Sequence, residues 1–326
     1  MGNYLLTGAA GFIAFRVAEL LVESGHHVYG VDNLNDAYDV RLKSYRLNRL
    51  QALPNFHFLK TDISSRTVID ALADWLPEQV DGVINLAARA GVRTSLTDPW
   101  VYVDTNMTGT LNLLELCRRY PVGKFVLAST SSLYAEESEP PFREADDTDH
   151  PLQPYAASKK GAEAMAHAYH HLYDIDVTVL RYFTVYGPAG RPDMVMFRFC
   201  QWIAEGKPVV VNGDGEQSRG FTYLDDIARG TIQALKPLGY QVINLGGHEV
   251  ITINHLISML EARIGQRALV TYQPFHPADV HTNQADVTRA RQLLGWEPRV
   301  NLEEGVTRLV DWYMAERAWA SQVATP

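Results

Sequence analysis

Short apolar runs and longer amphipathic stretches alternate along the first half of the chain. Tyr4-Leu5-Leu6-Thr7 is a brief apolar run. The turn-prone Gly8-Ala9-Ala10-Gly11 follows, and then Val17, Leu20 and Leu21 recur at helical spacing as far as Gly25. The pattern predicts strand, tight turn, helix. His27–Val31, Phe56–Leu59, Gly82–Leu86, Lys124–Ala128 and Val177–Leu180 read as further strands buried on both faces. Periodic segments Val68–Leu76, Val101–Arg119 and Tyr155–Tyr173 supply crossover helices. Together they predict an α/β fold, a doubly wound parallel sheet with its ligand crevice at the C-terminal ends of the strands. After Arg181 the pattern changes. Pro188, Gly190, Pro192, Gly206, Pro208, Gly213 and Gly215 punctuate shorter elements, which predicts a smaller α/β substrate-binding domain over residues 182–326. The larger domain spans 1–181, and a segment near 224–247 returns to it through the apolar run Gln241–Gly247.

The first turn suits a pyrophosphate. Gly8 lets the chain turn, Gly11 lets backbone approach a ligand, and the N–H groups that open the helix point toward an anion. This is the Rossmann arrangement. The second strand ends at Asp32, about 20 residues beyond the glycines, where a carboxylate accepts hydrogen bonds from an adenosine ribose. Asp32 would repel a 2′-phosphate, which favours NAD over NADP. Farther on, Tyr155 and Lys159 stand four residues apart in a helical segment, so a phenol and an ammonium share one face. A neighbouring cation favours the phenolate and moves a group that titrates near pH ~10 toward acid/base chemistry. Ser129-Thr130-Ser131-Ser132 closes the strand Lys124–Ala128 on the cofactor edge of such a sheet. Thr130, Tyr155 and Lys159 then place a hydroxyl, a phenol and an ammonium around one alcohol carbon.

Composition adds exclusions. The 326 residues carry 46% hydrophobic content and a formal charge of −9, which argues against a large nucleic-acid footprint. No apolar run is long enough to span a bilayer, and Met1-Gly2-Asn3 lacks a secretory pattern, so a cytoplasmic protein without membrane contact is expected. Cys117 and Cys200 are too few for a disulfide framework and read as buried thiols. His167, His170 and His171 share one helix, but no nearby carboxylate or thiol completes a ligand set, so no metal is expected.

TGAAGFIA at 7–14, Asp62-Ile63, Leu86-Ala87-Ala88, YAASK at 155–159 and RGFTYLDD at 219–226 resemble the landmarks of extended short-chain dehydrogenase/reductases that act on nucleotide sugars. DNLNDAYD at 32–39 with Leu42-Lys43, and RYFTVYGPAGRPDM at 181–194, are most similar to its UDP-glucuronate 4-epimerase branch. The resemblance implies interconversion of UDP-glucuronate and UDP-galacturonate on a retained NAD, in a homodimer. It implies that Gly8, Gly11, Phe12 and Ile13 line the pyrophosphate, Asp32 and Asn33 the ribose, Lys43, Asp62 and Ile63 the adenosine surroundings, and Ala87 and Ala88 the dinucleotide path. Tyr155 would be the base. Lys159 would hold the nicotinamide ribose and depress the Tyr155 pKa, while Thr130 would steer the sugar C4 oxygen. Arg93, Arg191, Arg219 and Asp279 are candidates for the diphosphate, carboxylate and uridine ribose of the UDP-sugar. Ser131, Ser132 and Thr184 are candidates for the C6 carboxylate.

Four positions depart from the pattern: Ala14 replaces a third glycine, Asn85 a histidine, Ala135 a glycine and Gly220 an aspartate. Three other readings stay open. A UDP-glucose/UDP-galactose 4-epimerase resembles RYFN where this chain has Arg181-Tyr182-Phe183-Thr184. A sugar-nucleotide dehydratase or UDP-glucuronate decarboxylase usually carries an acid where this chain has Ser131-Ser132. A non-catalytic NAD-binding regulator would need none of Thr130, Tyr155 and Lys159 together.

Overall fold

The computed structural model describes residues 1–134, 139–275 and 282–325. Strand β1 (Asn3–Thr7) leads through the glycine turn into α1 (Phe12–Glu23) and β2 (His27–Asp32). Helix α2 (Val40–Gln51), β3 (Phe56–Lys60), α3 (Val68–Trp75) and β4 (Gly82–Asn85) follow. The long helical segment expected next is three pieces end to end: α4 (Trp100–Tyr102), a π turn (Val103–Thr108) and α5 (Gly109–Arg119). Then come β5 (Phe125–Thr130), α6 (Pro154–Tyr173) and β6 (Val177–Tyr182).

Seven strands form the central sheet in the order β3-β2-β1-β4-β5-β6-β10, where β10 is Tyr240–Leu245. Every pair in it is parallel. The order reverses between β1 and β4, so the crevice opens there, at the strand ends carrying Thr7 and Asn85. Central strands β4, β5 and β6 are buried along their whole length, as helices on both faces require.

The second half builds β7 (Thr184–Tyr186), α7 (Val195–Ala204), β8 (Pro208–Asn212), β9 (Ser218–Tyr223) and α8 (Leu224–Gln233). Strand β11 (Glu249–Thr252), α9 (Ile253–Ile264), β12 (Leu269–Gln273) and α10 (Leu302–Ala315) complete it. β11, β9 and β7 make a three-stranded sheet, and β12 pairs with β8. Tyr186, Phe199, Phe221, Leu256 and Val306 pack in a hydrophobic core of their own. Helix α2 escaped the periodicity reading because its buried face includes Lys43 and Arg46 beside Leu42, Leu47 and Leu50.

Candidate functional site

The glycine turn is shaped by its own packing. Gly8 has φ 69°, and a Cβ there would stand 2.8 Å from the Ala87 Cα. A Cβ on Gly11 would stand 2.7 Å from the Gly8 carbonyl oxygen, which accepts the Gly11 N–H at 2.7 Å. The Asp32 carboxylate braces this turn by accepting from the Ala10 N–H at 3.1 Å and the Leu34 N–H at 2.8 Å. Lys43 donates to the Asn35 amide oxygen at 2.9 Å and lies 3.9 Å from Asp32. Burial lowers the Lys43 pKa, and the Asp32 charge opposes that shift. Asn33 donates to the Asp62 carboxylate at 2.8 Å, while the Ala87 N–H donates to the Thr7 hydroxyl at 3.1 Å. Ile63 is buried and packs over Gly109. Phe12 and Ile13 open α1. These groups ring the crevice at the sheet reversal. Two glycines whose Cβ positions are already filled, a helix start and a carboxylate at the end of β2 fit a dinucleotide such as NAD.

Helix α6 carries the candidate phenol and ammonium. Gln153 caps it by accepting the Ala156 N–H at 3.0 Å, and Pro154 occupies its first turn. Tyr155, Lys159 and Glu163 then recur every four residues and meet the end of β5. The Tyr155 phenol hydrogen-bonds the Thr130 hydroxyl. Lys159 Nζ donates to the Ala128 carbonyl at 2.8 Å, and Glu163 accepts from the Ser129 hydroxyl at 2.5 Å. Arg181 of β6 closes on Glu163 from behind with N···O distances of 3.0 and 2.8 Å, both side chains buried. Burial works against the Arg181 charge, but the carboxylate outweighs it and holds the pKa above its ordinary value. Burial likewise pulls Lys159 down to about 8, against the Glu163 charge that pushes it up.

Tyr155 departs from expectation. Burial raises its pKa above the ordinary phenol value; the Thr130 hydrogen bond and the Arg191 charge oppose that, and Tyr102 adds to it. The groups that favour the phenolate are thus Thr130 and Arg191, while Lys159 is turned to the Ala128 carbonyl.

The substrate candidates are less uniformly gathered. The Thr130 hydroxyl accepts from the Ser132 N–H at 3.1 Å, and Ser131 Oγ accepts from Asn283 at 3.2 Å. Arg191 forks onto Asp193 at 3.1 and 2.6 Å, within the field of Tyr155. Thr184 pairs in register with Phe221, two residues from Arg219, whose Nη1 donates to the Ser218 carbonyl at 2.8 Å. Arg93 is exposed at the head of the short turn Thr94–Leu96. Asp279 and Ala135 lie outside the described residues.

A family model described as GDP-mannose 4,6 dehydratase matches residues 5–309. The chain belongs to that family. This is the extended short-chain dehydrogenase/reductase group that its motifs resemble. The chain is 57% identical over 313 residues to a UDP-glucuronate 4-epimerase of Thermodesulfobacterium geofontis (strain OPF15), covering 96% of each. The structure of Bacillus cereus UDP-glucuronic acid 4-epimerase in complex with UDP-glucuronic acid and NAD matches with TM-score 0.90 and 38% identity, over 96% of this chain and 99% of that one. A Thermotoga maritima UDP-glucose 4-epimerase with UDP-glucose matches with TM-score 0.89 and 33% identity, over 97% and 99%.

Two departures from the family pattern have structural reasons. Asn85 is buried, accepts the Thr7 hydroxyl at 2.7 Å and donates to Thr110 at 3.1 Å, so it ties β1 and β4 to α5. Gly220 has no room for a side chain, because a Cβ there would stand 2.4 Å from the Gly247 carbonyl and 2.6 Å from that of Asn283.

Sequence reasoning missed Asn106 and Glu163. Asn106 sits in the π turn, a feature that recurs at functional sites. Its amide accepts the Arg89 N–H at 2.9 Å and donates to the Arg89 carbonyl at 3.0 Å and to Ser158 at 2.9 Å. Ser158 in turn donates to the Tyr155 carbonyl at 2.7 Å, so Asn106 anchors the first turn of α6. The polar run Asp104-Thr105-Asn106 inside an otherwise helical segment was the available signal.

Proposed function

We propose that the chain interconverts UDP-glucuronate and UDP-galacturonate by oxidising the sugar at C4 and reducing it on the opposite face. The observation that carries this reading is the convergence of Thr130, Tyr155 and Lys159 on the end of β5, in a chain so similar to UDP-glucuronate 4-epimerases. Bound NAD supplies the acceptor that takes hydride from C4 and gives it back, and its positive nicotinamide ring favours the phenolate over the phenol. Tyr155 takes the proton of the C4 hydroxyl and returns it at the end of the cycle. Thr130 holds the C4 oxygen in line with that phenol. Lys159, one turn along α6, binds the nicotinamide ribose. Gly8, Gly11, Phe12, Ile13, Asp32, Asn33, Lys43, Asp62, Ile63, Ala87 and Ala88 hold the dinucleotide.

Oxidation at C4 makes a β-keto acid, which loses its carboxylate once the breaking bond aligns with the ketone. Ser131, Ser132 and Thr184 hold the carboxylate out of that alignment, with Arg191. Arg93, Arg219 and Asp279 take the remainder of the UDP-sugar. On this reading residues 1–181 with the return near 224–247 form the NAD domain, and 182–326 form the UDP-sugar domain. A homodimer through α6 and the segment that runs from α4 into α5 is supported by exposed Trp100 of α4, Val103 of the π turn, and Leu172 and Tyr173 of α6. The two buried free thiols suit the cytoplasm.

Incubation with UDP-glucuronate, followed by resolution of the C4 epimers, tests the assignment. The likeness to the UDP-glucose 4-epimerase favours a second reading, which equal or better turnover of UDP-glucose would establish instead.

A further inference from the structure

Arg46 is fully buried, yet its guanidinium faces carbonyls and a phenol rather than a carboxylate. Nη1 donates to the Ala10 carbonyl at 3.0 Å and to the Tyr38 hydroxyl at 2.7 Å. Nε and Nη2 donate to the Ala189 carbonyl at 3.1 and 2.7 Å, and Nη2 reaches the Gly190 carbonyl at 3.3 Å. The cation also stacks over the Phe12 and Tyr38 rings, at 5.8 and 5.6 Å from their centroids. Burying a charge without an opposite one is costly, and apart from the contact with Tyr38 its donors are spent on joining two segments. One is the glycine turn of the dinucleotide crevice. The other is the loop after β7, where Ala189 holds a left-handed φ of 54° and is almost wholly buried against Leu42, Phe197 and Val323. Arg191 is the next residue but one.

We propose that Arg46 is a positioning residue that holds Arg191 within electrostatic reach of Tyr155 by clamping the Ala189–Gly190 backbone to the glycine turn. The inference rests on the epimerase reading for its kinetic consequence, but its geometry does not depend on that reading. Arg46 touches no reacting atom. It acts through two peptide groups, and the planar fork matters because one side chain must meet carbonyls on both segments at once. The charged and titratable groups facing Tyr155 are Tyr102 from α4 and Arg191 from the clamped loop, with the Thr130 hydroxyl from β5 as a hydrogen-bond partner and Lys159 one turn along α6. Those facing Arg191 are Asp193, Tyr38 and Tyr155. Of these, Arg191 alone is a cation carried on the segment that Arg46 holds. Loosening the clamp therefore removes a charge that favours the phenolate and leaves the α6 and β5 contacts of Tyr155 in place.

The test is Arg46→Lys in the holoenzyme, read by amide hydrogen exchange and by the pH dependence of turnover. Exchange over residues 187–193 should speed up, and kcat near neutral pH should fall by roughly ten- to a hundredfold. The limb on which activity rises with pH should move to higher pH, so that the deficit narrows in alkali. A general structural loss would instead lower turnover equally at every pH. That result, or unchanged exchange over 187–193, overturns the proposal. Should Arg46→Lys fail to fold, Tyr38→Phe removes one acceptor of the same cation. It should shift the limb in the same direction by less, and an unmoved limb counts against the clamp. If the wild-type protein does not epimerise UDP-glucuronate, the functional reading fails, and the exchange measurement still decides whether Arg46 holds the loop.

Discussion

Replacing Lys159 with methionine should abolish turnover and at the same time make the protein more stable at neutral pH. Burial lowers the Lys159 pKa from 10.5 to about 8. At about 1.4 kcal/mol per unit, holding that charge in the folded chain costs ~3 kcal/mol while both states are protonated. Methionine keeps most of the methylene stem and removes the charge. It also strips the Ala128 carbonyl of its donor, which costs ~1 kcal/mol. The expected net gain at neutral pH is ~2 kcal/mol. The sign follows from proton counting. Below about 8 native and unfolded chains both carry the proton, and the wild type bears the whole penalty. Between about 8 and 10.5 the native chain has lost the proton that the unfolded chain still binds, so wild-type stability climbs with pH. Above that window the variant should be the less stable of the two, by about the lost hydrogen bond. Urea unfolding of cofactor-stripped wild type and Lys159→Met across this range measures the difference, since bound ligand would add its own stabilisation. A variant less stable at neutral pH, or a difference that does not change with pH, would refute the account of Lys159 as a charge held against its solvation.

Tyr155→Phe keeps the ring and removes the ionisable oxygen, so turnover should fall by at least ~100-fold with fold and NAD content preserved, and Thr130→Val should cost less; near-normal epimerisation by Tyr155→Phe would require another base. Glu163→Gln should destabilise the protein by ~3–5 kcal/mol in thermal or urea unfolding, because Arg181 is left as an unpaired buried charge. A loss below ~1 kcal/mol would show that water or another acceptor compensates. Thr184→Ala and Ser131→Ala should raise UDP-4-keto-pentose relative to UDP-galacturonate in mass spectra of the nucleotide pool; an unchanged ratio with unchanged uronate affinity would remove both residues from the carboxylate clamp.

The central sheet was legible because parallel strands buried on both faces write themselves as near-continuous apolar runs, as Phe125–Ala128 and, with Thr178 inside it, Val177–Leu180 do. The π turn was not, since a helix with one wider turn keeps nearly the same spacing of apolar residues on either side of it. Helix α2 hides for a different reason. Its inward face uses Lys43 and Arg46, whose polar ends are satisfied by Asn35 and by main-chain carbonyls that sequence does not place nearby. At the site, Tyr155 and Lys159 were readable from a four-residue spacing. Glu163 continues that same spacing, yet its meaning depends on Arg181 and Ser129 arriving from two other strands. The direction of the Tyr155 shift was equally hidden. It is set by how deeply the phenol is enclosed, with an opposing charge from Arg191, 36 positions along the chain.

The most direct test of the central claim is to incubate the purified protein with UDP-glucuronate and no added nicotinamide, following both the C4 epimers and the absorbance of reduced cofactor. The account predicts that UDP-galacturonate accumulates to equilibrium while no net NADH appears, since the cofactor is reduced and reoxidised within each turnover. Stoichiometric NADH release, or failure to form the C4 epimer by protein that carries NAD, would contradict it.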